Sequence, residues 1–149
     1  MFESAAEKRA YVRAMFGRIA HRYDLMNRLM TGGQDQRWRR WLVEEMQLTV
    51  GSRVLDVATG TGDVLFNVLA QQPGLRLAVG VDFSLPMLAI AQRRYAKISP
   101  GYSQLAWTAG DTLNLPFPDN CFDAVASAFL LRNVTDLAAT LREQRRVPK

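Results

Sequence analysis

The amino-acid sequence predicts an α/β fold, with a parallel sheet carrying helices on both faces and a helical segment ahead of it. Three observations lead there. From Val50 onward, short apolar runs alternate with stretches at helical spacing, the grammar of βα units. A glycine-rich turn, Ala58-Thr59-Gly60-Thr61-Gly62, joins the first run to the first helical stretch. Polar residues suited to chemistry follow Val57, Val81, Thr108 and Phe129, the ends of those runs, and ligands of parallel sheets bind beyond the carboxyl ends of strands.

Each element has a local reason. Ser4 and Glu7 form a capping-box pattern. Val12, Met15, Phe16, Ile19 and Tyr23 then recur at helical spacing, with Arg9, Arg13, Arg18 and Arg22 largely on other faces. Gly32 and Gly33 end that pattern. A second helix is expected over Gln36 to Met46, with Trp38, Trp41, Leu42 and Met46 as its apolar side. Arg53 to Val57 reads as the first strand, and Asp63 to Gln71 as the helix behind the turn. Arg76 to Val81 is the second strand; Ser84 can cap a helix running to about Lys97, and Pro86 is tolerated in its first turn. Ser103 to Thr108 alternates as a third strand, Leu113 to Asn120 is a loop marked by Pro116 and Pro118, and Phe122 to Phe129 is a fourth strand. Thr135 or Asp136 can cap a last helix that turns Leu137 and Leu141 inward. Arg145 and Arg146 fall in its last turn, where the helix dipole favours cations.

The 149 residues suit a single domain, with an N-terminal helical segment over 1–48 and βα units over 49–149. A composition of 48% hydrophobic and 22% charged residues excludes disordered and collagen-like classes. No apolar run approaches the roughly 18 residues of a membrane span, and the start, MFESAAEKRA, has no apolar signal core. Cys121 stands alone, so no internal disulfide can form, which fits a cytoplasmic protein. One His and one Cys argue against a structural zinc site, and no metal is expected. The net charge is +5, and its location matters more than its size. Residues 1–40 hold nine Lys/Arg and four Asp/Glu, while the remainder holds ten of each, so the whole excess is N-terminal. A basic segment on a neutral body suits an anionic partner, such as a membrane surface, a nucleic acid or an acidic substrate; a solvated helix face fits as well.

The spacing of the glycine-rich turn discriminates between ligands. In Asp56-Val57-Ala58-Thr59-Gly60-Thr61-Gly62-Asp63, glycines let the backbone approach a ligand, and the next helix offers free N–H groups. Counting from Gly60, the third small position of the dinucleotide fingerprint falls on Leu65, so that fingerprint fails; there is no P-loop either. Asp82, at the end of the second strand and 20 residues after Gly62, can accept hydrogen bonds from two ribose hydroxyls, or serve as a helix cap. In Gly110-Asp111-Thr112 a polar side chain can meet the exocyclic amine of an adenine, and a plain turn fits equally. Arg132 and Asn133 lie beyond the fourth strand, at the sheet's carboxyl edge. Arg132 is placed to hold or deprotonate a phenolic oxygen, or to pack on the following helix.

These blocks resemble a known family. The acidic residue followed by G-T-G resembles the first motif of class I methyltransferases, which have a Rossmann-like fold; an early glycine common in that motif is Ala58 here. Tyr23-Asp24-Leu25-Met26-Asn27, followed by Thr31 and Trp38, resembles the N-terminal signature of the ubiquinone/menaquinone biosynthesis C-methyltransferases. VLDVATGTGD (54–63), GVDFS (80–84), GDTLNLPFPD (110–119) and FDAVASAFLLRNV (122–134) are similar to that family's remaining blocks. The resemblance covers nearly the whole chain and is most specific in its Y-D-x-M-N and LRNV blocks. It implies transfer of a methyl group from S-adenosyl-L-methionine to a ring carbon of a polyprenyl hydroquinone, with demethylmenaquinol as the expected acceptor. It also implies cofactor contacts at Asp56, Gly60, Thr61, Gly62, Asp82, Asp111 and Thr112, with Arg132 and Asn133 at the substrate end. The protein's work in such a reaction is proximity, orientation and phenol ionisation. A long-tailed lipid substrate gives the basic N-terminus a reason to sit on an anionic leaflet, where each Lys or Arg contributes roughly 1 kcal/mol.

Three departures from the family pattern stand out. Leu130 replaces a usual Gly, Pro148 interrupts a usual R-V-L-K, and the sequence stops there. Class I sheets usually have seven strands in the order 3-2-1-4-5-7-6, and only four are countable here, so the last strands are expected to be missing and strand four to form a bare edge. Its apolar residues Phe122, Ala124, Val125 and Ala126 then invite self-association. Two alternatives to a quinone methyltransferase remain: a non-catalytic cofactor-binding fragment, and a class I methyltransferase acting on nucleic acid. The second lacks an aromatic-and-basic stacking surface, so no nucleic-acid partner is expected. Hydride transfer is disfavoured by Leu65.

Overall fold

The computed structural model describes residues 31–98, 104–128, 130–131 and 133–149, together with Glu7, Tyr11, Ala14, Met15, Arg22 and Leu29. The strands among them are β1 (Arg53–Val57), β2 (Leu77–Asp82), β3 (Leu105–Ala109) and β4 (Ala124–Ala126). All pair in parallel, in the order β3-β2-β1-β4. The helices are α1 (Gln34–Glu45), α2 (Asp63–Gln71), α3 (Leu85–Ile98) and α4 (Leu137–Arg146). This is the α/β arrangement expected of alternating βα units. The anticipated N-terminal helix and the Tyr23–Asn27 block fall outside the described residues, apart from isolated positions.

Strand alternation distributes the core between the two faces of the sheet. Val54 and Ala78 pack with Val64, Leu65, Val68 and Val43 of α2 and α1. Leu55, Val57, Val79 and Val81 pack with Leu115, Phe122, Leu130 and Val147 on the other face. The register places Asp56 opposite Gly80 on one side and Ala126 on the other. Asp56 and Asp82 therefore share the Val54–Ala78 face, near the carboxyl ends of the two central strands.

Several sequence expectations shift. Strand two starts at Leu77 and includes Asp82, and strand three starts at Leu105 and runs to Ala109. Strand four shrinks from Phe122–Phe129 to Ala124–Ala126, with Phe129 outside the described residues. Phe122 pairs instead with Pro148: the Cys121 N–H donates to the Val147 carbonyl at 2.8 Å, and the Lys149 N–H to the Phe122 carbonyl at 2.9 Å. The expected bare edge is thus occupied at Phe122 by the chain's own last residues.

Helix α1 begins two residues early, after Gly33 with φ 82°, and turns a different face inward than expected. Trp38 is 51% and Trp41 62% exposed, whereas Asp35, Arg39 and Val43 are buried, with Leu42 and Met46 packed at the core's margin. Buried ion pairs set this face: Arg39 meets Asp35 one turn earlier on α1 and Asp63 at the start of α2. The last helix departs in a similar way. Asp136 is its cap, accepting the Ala139 N–H at 2.9 Å, but Leu137 and Leu141 remain half exposed while Thr140 is fully buried. The helix is held by polar contacts to the preceding loop. Arg146 donates to the Phe117 carbonyl at 2.8 Å and the Leu115 carbonyl at 3.1 Å, and Glu143 accepts the Leu115 N–H at 2.7 Å. Those bonds satisfy loop groups that would otherwise be stranded, and they decide the helix's rotation.

Candidate functional site

The β1–α2 turn is built from left-handed residues. Ala58, Gly60 and Gly62 have φ of 58°, 58° and 88°. The Thr59 N–H donates across to the Val81 carbonyl at 3.0 Å, which anchors the turn to the end of β2. Gly62 has a packing reason as well, since a Cβ there would lie 2.6 Å from the Trp107 ring. No side chain caps α2, whose N-cap is Gly62. Its first N–H groups therefore carry the partial positive charge of a helix N-terminus.

Two buried carboxylates flank the turn. Asp56 is 1% exposed; its Oδ2 accepts the Thr59 hydroxyl at 2.7 Å, while Oδ1 is buried with no hydrogen-bond partner. Burial pushes its pKa from 3.8 up to about 7; the Asp82 charge adds to this, and the Thr59 hydrogen bond and the Arg39 charge oppose it. Asp82 accepts the Gly60 N–H through Oδ2 and the Ser84 N–H through Oδ1, both at 2.8 Å. Burial raises its pKa too, against those backbone bonds. Asp82 thus ties the glycine turn to the start of α3. The expected cap, Ser84, does not perform that task, because its Oγ is buried without a hydrogen-bond partner.

A cleft opens at the carboxyl ends of β1, β2 and β4. Asp56, Gly60, Thr61, Asp82 and Asn133 all line it, as the sequence anticipates. Gly62 frames the turn without lining the cleft. Asp111 and Thr112 are not brought to it. Asp111 accepts the Leu113 N–H at 2.9 Å and bridges Asn114, the geometry of a local turn. Arg132 lies outside the described residues.

Leu130, the departure from the family's usual glycine, lines the cleft, and so do residues that escape a reading of the sequence: Arg39, Phe83, Met87 and Ala128. Leu130 is buried and belongs to the apolar cluster on the far face of the sheet, so this lining residue also packs with the core. Arg39 arrives from α1. Its Nη1 lies 3.0 Å from Asp63 Oδ2, and Asp63 Oδ1 accepts Arg94 Nη2 at 2.6 Å. Arg94 also donates to the Thr61 carbonyl at 2.9 Å and stacks over Phe66, 4.8 Å from its ring centre. Asp63 thereby joins α1, the glycine turn and α3. The available signal was the i,i+4 spacing of Asp35 and Arg39, which is common on solvated helices.

Known proteins share this frame. In fold, a protein of Methanococcus maripaludis matches 89% of the chain and 59% of its own length at a TM-score of 0.74, with 22% identity. In sequence, a ubiquinone/menaquinone biosynthesis C-methyltransferase of Geotalea uraniireducens (strain Rf4) is 41% identical over 143 residues, 96% of this chain and 60% of the relative. A demethylmenaquinone methyltransferase of Roseiflexus castenholzii is 45% identical over 143 residues, 96% of this chain and 58% of the relative. The chain spans about three fifths of the length of these relatives. The resemblance first carried by the Y-D-x-M-N, G-T-G and LRNV blocks extends over residues 3–149, and the chain belongs to the ubiE/COQ5 methyltransferase family.

Proposed function

We propose that this chain forms the cofactor-binding part of an S-adenosyl-L-methionine-dependent methyltransferase that acts on a ring carbon of a polyprenyl hydroquinone, with demethylmenaquinol as acceptor. The observation that carries the reading is the buried Asp82 carboxylate, held by the Gly60 and Ser84 N–H groups at the rim of the cleft. A fixed acceptor there suits a ribose diol. The cofactor's remaining demands also fit: the unpartnered Asp56 Oδ1 is a buried polar atom in the same cleft that a hydrogen-bond donor of the ligand would satisfy.

Bound S-adenosyl-L-methionine supplies an electrophilic sulfonium methyl group. This chain binds, orients and excludes water. Asp82 takes the ribose hydroxyls, the Gly60–Thr61 backbone lies alongside the ligand, and Asn133 stands on the substrate side of the cleft. Arg132 is assigned by its motif to hold the phenolic oxygen while its proton passes to water, which makes the ring carbon nucleophilic. Asp111 and Thr112 follow β3 outside the cleft lining, and their motif assignment to the adenine requires the cofactor to extend past the end of β3.

A cytoplasmic protein bound peripherally at the inner membrane face suits a lipid-tailed acceptor. None of the described helices is long and apolar enough to cross a membrane. Trp38 and Trp41 face outward from α1 beside Arg37 and Arg40, a pairing suited to an anionic interface.

Calorimetry with S-adenosyl-L-methionine tests the site, with Asp82→Ala as the control. We expect the substitution to weaken binding about 100-fold, because two hydrogen bonds to an ionised group are lost. Equal binding by the variant removes the assignment of Asp82. Methyl transfer to a demethylated naphthohydroquinone, followed by mass spectrometry of the ring product, then tests the acceptor.

A further inference from the structure

Residues 1–40 hold the chain's whole excess of positive charge, and α1 carries the last arginines of that stretch, Arg37, Arg39 and Arg40. The helix uses them in two ways. Arg39 is buried and lines the cleft, whereas Arg37 and Arg40 are exposed on the outward side. Trp38 and Trp41 share that outward side, 51% and 62% exposed. Residues three apart are neighbours on a helix surface, so the two indoles form one apolar patch. Indole beside arginine is the composition of a helix that lies in the interfacial layer of a bilayer. We infer that the outward face of α1, from Arg37 to Trp41, docks the protein on an anionic lipid bilayer and sets the mouth of the cleft against it. This rests on the quinol reading above, and it adds the surface and the orientation through which a lipid-tailed ligand is met.

Charge selects the occupant. Arg37 and Arg40 flank the indoles, and an anionic leaflet offers them negative charge across its whole surface. Glu44 and Glu45 fill the last turn of α1, so the basic part of the helix is its N-terminal part, and that part also carries the tryptophans. Leu29, 73% exposed, adds an apolar side chain just ahead of the Gly32–Gly33 turn that leads into the helix. Tryptophan suits the boundary between headgroups and acyl chains, where the ring is in lipid and the indole N–H stays hydrated. The placement also has a use. Arg39 reaches the cleft from one side of α1 while Trp38 and Trp41 leave it on the other, and a helix with its side chains is about 10 Å across. A docked α1 therefore holds the cleft about one helix diameter from the bilayer. A quinol ring bound there leaves its prenyl tail in lipid, and the tail avoids the cost of exposure to water.

The measurement is partition of the full chain onto vesicles of phosphatidylcholine alone, and onto vesicles of phosphatidylcholine and phosphatidylglycerol in equal parts. Binding is read by co-sedimentation and by quenching of tryptophan fluorescence from lipids brominated in the acyl chain. The wild type should bind the anionic vesicles about 10-fold or more tightly than the neutral ones, be quenched by the brominated lipid, and be released by high salt. Arg37→Gln/Arg40→Gln should weaken binding about 30-fold, the worth of two interfacial arginines. Trp38→Ser/Trp41→Ser should weaken it about 10-fold or more. That variant should also lose the quenching, because the remaining tryptophan, Trp107, packs on Phe66 and the core. Leu137→Ser/Leu141→Ser on α4 controls for exposed apolar side chains in general and should bind as the wild type does. Circular dichroism checks the fold of each variant, and sedimentation without lipid checks its size. Equal partition onto both vesicle types, or unchanged binding by the folded α1 variants, overturns the inference. So does a dimer that Trp38→Ser/Trp41→Ser dissociates while lipid quenches nothing, since the face then belongs to a second copy. Calorimetry with S-adenosyl-L-methionine on the same proteins keeps the two readings apart. Vesicle binding through α1 without cofactor binding leaves the docking face standing and removes the methyltransferase reading.

Discussion

The two ends of the sheet's ligand edge differ sharply. Around β1 and β2, the polar groups are buried and cross-linked: Asp56 to Thr59, Asp82 to Gly60 and Ser84, and Asp63 to Arg39 and Arg94. Around β4 and α4, the strand is three residues long, and Leu131, Leu137 and Leu141 are each about half exposed. The first region is determined by short-range backbone geometry and buried charge. The second is held by loop hydrogen bonds at the protein surface. Substitutions on the two sides should therefore differ in size and in pH dependence.

The largest effect is expected at Asp56. Its carboxyl ionises near 7 when folded and near 3.8 when exposed, so the folded state binds the extra proton between those values. Stability should be greatest at the acid end of that window, fall as pH rises through it, and level off above 7, with about 4 kcal/mol at stake for a group so deeply buried. Asp82, raised in the same direction, steepens the fall. Urea unfolding at pH 5 and pH 8 spans the upper two units of that window and should differ by about 2–3 kcal/mol. Asp56→Asn should lose most of the difference between the two pH values, and an unchanged difference would place the titration elsewhere. Asp123 and Glu143, on the β4–α4 side, have pKa values held down by Lys149 and by Arg146, so their contribution is present at neutral pH and lost only in acid, the opposite sign.

Gly62→Ala comes next. The new Cβ meets the Trp107 ring at 2.6 Å and must adopt φ near 88°, so a loss of about 2–3 kcal/mol is expected in denaturant unfolding. A neutral result would mean that the Trp107 ring yields easily. Ala58→Gly should act in the opposite direction. Ala58 sits at φ 58°, a conformation that costs a Cβ-bearing residue about 1 kcal/mol, so the glycine variant should be more stable by about that amount in the same assay. The smallest effect belongs to the second region. Leu137→Ser with Leu141→Ser should change stability by no more than about 0.5 kcal/mol per site, because these side chains remain half in water. A loss as large as that at Gly62 would show that α4 packs more tightly than its exposure indicates.

The same contrast explains what was legible in advance. The βα alternation, the helix over Asp63–Gln71, the Asp136 cap, and the gathering of Asp56, Gly60, Thr61 and Asp82 are local consequences of residue type and spacing. The inward face of α1 keeps the expected Leu42 and Met46 but not Trp38 and Trp41, because tryptophan looks like a core residue while a buried arginine between two aspartates leaves no hydrophobic trace. The leucines of α4 stay outside for a related reason: Arg146 donates to, and Glu143 accepts from, a loop about 30 residues away in sequence, and these bonds set the helix's rotation. Asp111 shows the converse limit: its motif position is legible in the sequence, whereas the turn in which it accepts the Leu113 N–H is visible only in the structure.

By itself the sequence determined the parallel α/β order, the glycine turn and its two acidic neighbours, because these follow from backbone sterics and from periodicities of two and 3.6 residues. The tertiary structure settled that Arg39 enters the cleft, that Asp82 accepts the Ser84 N–H just ahead of α3 while the Ser84 hydroxyl makes no hydrogen bond, and that Phe122 pairs with Pro148. Each of those outcomes depends on partners from different elements competing for the same buried donors and charges, and a pattern along one segment does not contain that competition.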